Sequence, residues 1–185
     1  MRFSTRAVCI VLTATASLLA APALAQGVKT VGGAPMFPTR NIVENAVNSK
    51  DHTTLVTAVK AAGLVDTLAS PGPFTVFAPT NRAFGKLPAG TVETLVQPQS
   101  KQTLTTVLTY HVVPGRYTAR ELMNLAKRNG GEAELKTAQG STLAVIAKGD
   151  RVFVADNKGN TARVTISDVT QSNGVIHVID TVLMP

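Results

Sequence analysis

The groups in this sequence with which chemistry could be done are three histidines, one cysteine and eleven Asp and Glu side chains, and their spacing is poor for it. His52, His111 and His177 are isolated, each without a second His or Cys at the short spacing that brings two ligands to one metal. There is no G-x-S-x-G elbow, no G-x-x-x-x-G-K-[ST] phosphate loop, no G-x-G-x-x-G and no H-E-x-x-H. The stretch DNKGN from Asp156 shares with a calcium loop only its first residue and its glycine, and reads as a hairpin turn. His111 follows Tyr110 on the apolar face of a helical pattern. It is a general base or ligand if a nucleophile meets it in space, and otherwise a core imidazole bonded to backbone groups, the reading its surroundings favour. In GVIHVIDTVLMP, alternation places Val175, His177 and Ile179 on one face and Ile176, Val178, Asp180 and Val182 on the other. Such a strand is central to a sheet. His177 and Asp180 then point opposite ways and form no local dyad, and Asp180 reads as a structural polar latch that needs hydrogen-bond donors if buried.

These groups must be positioned by a chain of 185 residues, 44% apolar and 16% charged, which suits one domain. The absence of Trp, with two Tyr and six Phe, argues against a stacking platform for nucleic acid despite a net charge of +7. Arg2 and Arg6 precede an apolar run from Ala7 to Leu19, followed by Ala23-Leu24-Ala25; residues 1–25 therefore read as a signal peptide, cleaved after Ala25 on the way to the periplasm or exterior. The run is too short to span a bilayer, so the chain is not expected to cross one. Cleavage removes Cys9 with Arg2 and Arg6 and no acid, leaving 16 basic against 11 acidic side chains, net +5, and no thiol for a disulfide or a nucleophile. Residues 26–39, with three Gly and two Pro, read as a flexible leader before a domain at 40–185.

Within the domain, helical periodicity dominates the first half: Ile42 to Val47, Leu55 to Ala62 with Gly63 as stop, Leu64 to Leu68, and Leu104, Val107, Leu108 and His111 on one face. Phe74 to Phe77 is a short buried strand. After a further helix from Ala119 to Lys127, alternating or apolar runs separated by turns predict strands at Leu135, 142–147, 151–155, 162–166 and 174–184. Helices segregated from strands give an α+β fold and exclude the regular alternation of a nucleotide-binding sheet.

Three segments together carry a resemblance. TVFAPTNRAF at 75–84, LTYHVVPGRYT at 108–118 and NGVIHVIDTVLMP at 173–185 resemble, in order and spacing, the first conserved box, the Tyr-His segment and the second box of the fasciclin domain. The resemblance covers Arg40 to Pro185. It implies a helical layer packed against a β-sandwich wedge, on a secreted or surface protein used for adhesion, without catalysis or cofactor. Physically, the first box reads as a core strand ended by Pro79, with Thr80 or Asn81 capping a helix that carries Phe84. In adhesive animal members an Asp-Ile pair before the second box is implicated in integrin binding. Asp168-Val169 aligns with it, a partial match that equally suits a solvated turn residue and a core contact.

Two further surfaces compete. Arg116, Arg120, Lys127 and Arg128 lie close in sequence, and Arg120, Asn124 and Arg128 at i, i+4 and i+8 share a helix face that would suit an anionic glycan. Leu122, Met123 and Leu125 on the same helix would instead line a groove for an apolar ligand, since some fasciclin-like proteins bind carotenoids. The expectation is a monomeric binding module for a cell-surface or matrix protein or an anionic glycan. The alternative is a soluble carrier of a carotenoid or lipid, and a hydrolase survives only if folding brings His111 or His177 to a hydroxyl and an acid.

Overall fold

The computed structural model describes residues 28–185. The signal peptide expected over residues 1–25 lies outside them. Two strands open the described chain, β1 (Lys29–Val31) and β2 (Ala34–Met36), followed by α1 (Ile42–Ala46), α2 (Thr53–Ala62) and α3 (Val65–Ala69). Then come β3 (Phe74–Pro79), α4 (Asn81–Phe84), α5 (Thr91–Leu95), α6 (Lys101–Tyr110), β4 (Val112–Pro114) and α7 (Ala119–Arg128). The chain finishes in β5 (Glu132–Lys136), β6 (Thr142–Lys148), β7 (Arg151–Ala155), β8 (Thr161–Gln171) and β9 (Gly174–Ile179). This is the expected α+β segregation.

From Lys29 onward, the flexible leader expected over residues 26–39 is corrected to a hairpin. Gly32 and Gly33 form its two-residue loop at φ 59° and 77°, the left-handed pair that hairpin turns require and only glycine adopts freely. Val31 and Met36 are buried on its inner face, and the Gly32 carbonyl accepts the Lys50 amide at 3.2 Å. A Cβ on Gly32 would collide with Ser49 and the backbone at Lys50 and Asp51.

Strands β3 to β9 form one sheet in the order β4-β3-β9-β8-β7-β6-β5, in which only β3 and β9 run parallel. The sheet folds at β8. Its first residues pair with β7, its last with β9, and the register slips between Val164 and Ile166 and again between Ile166 and Val169. Such bulges bend a strand and close a sheet into a wedge.

Alternation along β3 and β9 then serves two cores. Val76, Ala78, Ile176 and Val178 face the helical layer of α1 to α6, where Ile42, Leu55, Val59, Leu104 and Leu108 pack. Phe77 and Ile179 face the wedge interior, with Tyr110, Leu122, Leu143, Val145 and Val154. The central strand read from the sequence is thus buried on both faces.

Helix ends follow local chemistry. Thr118 and Glu121 form a capping box at the start of α7, and Lys127 and Arg128 sit in its last turn, where the helix dipole favours cations. Gly63 ends α2 at φ 73°. Thr80 caps α4, its hydroxyl accepting the Ala83 amide at 3.2 Å, whereas Asn81 reaches across to accept the Thr54 amide at 3.0 Å and donate to the Lys50 carbonyl at 2.8 Å. Phe84 is buried in the helical core.

Candidate functional site

The three histidines are folded in. His111 donates from Nδ1 to the Val107 carbonyl at 2.8 Å and accepts the Leu183 amide on Nε2 at 3.1 Å; burial pushes its pKa down to about 4. His177 is fully buried, stacked on Phe77 with ring centroids 5.6 Å apart. Its Nε2 donates to the Tyr117 carbonyl at 2.8 Å, its Nδ1 accepts the Asp168 amide at 3.3 Å, and burial again lowers its pKa. Neither ring meets a Ser or Thr hydroxyl, so the triad geometry a hydrolase needs is not assembled around them. His52, which the sequence reading passed over as isolated, does meet Ser49 Oγ at 2.9 Å, but both residues are buried and burial lowers its pKa. The His52 Nε2 has no hydrogen-bond partner among the described residues.

The carboxylates are structural too. Asp180 accepts the Arg163 amide at 2.9 Å and lies 3.9 Å from Lys86, the one ion pair among the described residues. Asp156 turns DNKGN by accepting the Lys158 and Asn160 amides, the Asn160 side chain and the Met184 amide. Burial works against its ionised form, and these four bonds outweigh that and hold its pKa low. Tyr110, buried in the wedge, donates its hydroxyl to the Thr142 carbonyl at 2.8 Å. Among the described residues no cluster of three or more His, Cys, Asp or Glu is placed to hold a metal ion, and no helix is long and apolar enough to cross a membrane.

The pair Asp168-Val169 does not form one surface. The second register slip of β8 turns Val169 inward, where it is 1% exposed, and leaves Asp168 half-buried in the left-handed region at φ 53°. The integrin-type reading of the pair is corrected accordingly: Val169 is a core residue. Asp168 has a local task, accepting the Ala119 amide at 2.7 Å at the start of α7.

Asp168 also lines a surface cleft of about 360 Å³. Lys29 and Arg116 bring two cations to it, Thr118 and Thr170 two hydroxyls, and the half-buried Pro38 an apolar surface, with the buried Met36 also in the lining. The hairpin, the approach to α7 and the bulge of β8 each supply part of the lining. Of these residues the sequence reading had singled out Arg116 and Asp168. Lys29, Met36 and Pro38 belong to the segment read as a leader; its Gly-Gly pair, a recognised hairpin signal, was the available clue.

Beside the cleft, Arg120, Asn124, Lys127 and Arg128 are exposed along α7, as the helical spacing requires. The opposite face of α7 is not a groove. Leu122 is buried in the wedge core with Met123 and Leu125 packed against it, which corrects the expected apolar site there. An apolar pocket of about 50 Å³ lies instead in the helical layer, among Ile42, Leu55, Val59, Leu68, Val76 and Ile176.

This two-core wedge under a helical layer belongs to a defined class. Residues 50–185 match the fasciclin domain, and the chain is a member of that family. It is 49% identical over 144 residues to Protein sll1483 of Synechocystis, a match spanning 78% of this chain and 73% of that one. It is 39% identical over 145 residues to Immunogenic protein MPB70 of Mycobacterium bovis, covering 76% and 66% of the two chains. With Cell surface glycolipoprotein MPB83 of the same species it shares 38% over 122 residues, 66% of this chain and 48% of the relative. The FAS1 domain pair of the insect cell adhesion molecule Fasciclin I superposes with a TM-score of 0.69 at 21% identity over 79% of this chain. The chain spans about half of that two-domain structure, which shows a shared fold.

Proposed function

We propose that this protein is a non-catalytic binding module that attaches, outside the cytoplasm, to a cell-surface or matrix component bearing anionic glycan. The observation that carries the reading is the exposed run Arg116, Arg120, Lys127 and Arg128, none of which forms an ion pair among the described residues. Unpaired cations just before and along α7, with a net charge of +5 once the expected signal peptide is removed, raise the encounter rate with anionic partners. That a relative is named a cell surface glycolipoprotein, and that the fold occurs in a cell adhesion molecule, supports the same setting. The test is attachment to acidic and neutral glycan surfaces across a salt series, by wild type and Arg120→Gln/Arg128→Gln. Attachment should weaken in the double variant at low salt, and the difference should vanish at 1 M, where charges are screened beyond about 3 Å. Attachment indifferent to both salt and substitution refutes the reading.

The apolar pocket favours a second reading, a carrier of a hydrophobic ligand. Its lining suits one, and a long pigment or lipid would need α1 and α2 to part from the sheet. Extraction of the natively purified protein and mass spectrometry of the extract decides it; this cargo would hold or gain affinity with salt.

A further inference from the structure

We infer that the cleft between the hairpin, the start of α7 and the bulge of β8 is a site for one carboxylated sugar, a uronic acid residue of an acidic polysaccharide. The inference rests on the anionic-glycan reading above and adds to it a location and a substrate class. Three groups in the cleft have no hydrogen-bond partner among the described residues: the Arg116 guanidinium, the Thr170 hydroxyl and the second oxygen of Asp168. The others are engaged in part or whole: Lys29 spends one of its three N–H donors on the Ser167 carbonyl at 2.5 Å, Thr118 is bonded to Glu121, and Asp168 Oδ1 to the Ala119 amide. What is left is one planar cationic fork, the two remaining N–H donors of the Lys29 ammonium, one neutral hydroxyl and one anionic acceptor, beside the apolar ring of Pro38.

That combination selects among anions. A guanidinium pairs with a carboxylate through two parallel hydrogen bonds. Asp168 accepts from hydroxyl donors and repels any ligand that brings only negative charge. Lys29, Arg116 and Asp168 together carry a net +1, which one carboxylate neutralises and a phosphate or sulfate dianion exceeds. Glu121, whose carboxylate faces the Thr118 amide and hydroxyl, stands within the field of Arg116 and weakens the pull on a bare anion further. Binding must then draw on hydroxyls and on the C–H face of a ring against Pro38. A uronic acid supplies all three features: one carboxylate, neighbouring hydroxyls and an apolar ring face. The cleft, at about 360 Å³, lies near the lower end of the 300–1,000 Å³ common for small-molecule sites, so it takes a short segment of a chain. Arg120 lies two residues beyond Thr118, and a longer polyuronate leaving the cleft meets the basic face of α7.

The experiment is calorimetric or NMR titration of the full chain with a trigalacturonate, a neutral galactose trisaccharide and inorganic phosphate. Trigalacturonate should bind, and the other two should not compete. Arg116→Gln should weaken binding about tenfold, as loss of a charge-assisted hydrogen bond does, and Thr170→Val about threefold, with no change in charge and with unaltered melting temperatures. Arg120→Gln/Arg128→Gln should leave trisaccharide binding intact while weakening attachment to the polymer. Equal binding of phosphate, or trisaccharide affinity unmoved by both Arg116→Gln and Thr170→Val, overturns the cleft assignment. Salt-sensitive attachment to acidic polymers that persists in those two variants would leave the wider reading standing, and its absence in wild type would remove both.

Discussion

The imidazole of His111 receives the backbone amide of Leu183 at 3.1 Å, joining the end of α6 to the chain beyond β9 across 72 residues of sequence. With Nδ1 on the Val107 carbonyl, both ring nitrogens are committed and the ring must stay neutral.

That neutrality makes stability depend on pH. Folding lowers the pKa of His111 from 6.5 to about 4, so the unfolded chain binds more protons in that window and is favoured as pH falls through it. At 1.36 kcal/mol per pH unit the effect amounts to about 3 kcal/mol. His52 and His177 are displaced in the same direction by burial. Urea melts should be flat from pH 8 to 7 and decline below 6.5, before Glu121 and Asp156 begin to lose their own contributions below their ordinary values of 4.5 and 3.8. Constant stability between pH 7 and 5 would contradict a neutral, buried His111.

Phe77→Ala and Ile179→Ala should each cost about 2–5 kcal/mol, because both side chains are fully buried in the wedge core and truncation leaves a cavity. Thermal or urea denaturation reads it. Losses under roughly 0.5 kcal/mol at both, the range of surface sites, would put the boxes outside the core.

Asn173 ties three segments together, its Oδ1 accepting the Ile42 amide at 3.1 Å and its Nδ2 donating to the Leu68 and Ser70 carbonyls at 2.8 and 3.0 Å. Asn173→Ala strands these groups, and the expected loss is about 2–3 kcal/mol, at the upper end for unsatisfied buried polar groups. Asn173→Asp keeps the acceptor and should still lose stability, since it replaces the donor with charge. A neutral outcome for both would mean water replaces the amide at no cost.

Asp168 separates backbone strain from capping. Asp168→Gly relieves the positive φ and loses only the bond to Ala119, while Asp168→Ala loses the bond and keeps the strain. The alanine variant should be the less stable by about 1 kcal/mol, the cost of the left-handed region to a residue with a Cβ. Equal melting temperatures would argue that the loop relaxes once the carboxylate is gone.

The parts of this fold legible from sequence were those governed by periodicity. In β9, two-sided burial follows from GVIHVI alone, and the core placement of His177 follows with it. Val169 was ambiguous because a bulge breaks the alternation of β8, and no local pattern marks where a strand slips. The buried amides escaped notice for a related reason. Asn45 bonds Phe37 and Gln171, and Asn173 bonds residues over a hundred positions away, so only tertiary folding makes them necessary. The cleft was half legible. Arg116 and Asp168 stand out by type, but Lys29 and Pro38 join them only once the hairpin packs down.

The parallel pairing of β3 with β9 matches Phe74 with Gly174 through Pro79 with Ile179, an offset of one hundred residues. Its consequence lies in the order of folding. A ribosome delivers β3 early, yet the neighbour that fills its open side is the last of the described strands, made one hundred residues later, so helices can form while the centre of the sheet stays vacant. Closing so long a loop is slow, as high contact order generally is. A nascent chain lacking residues 174–179 therefore has no complete core in either layer, since β9 contributes Ile176 and Val178 to one and Ile179 to the other. Folding commits only when the far end arrives.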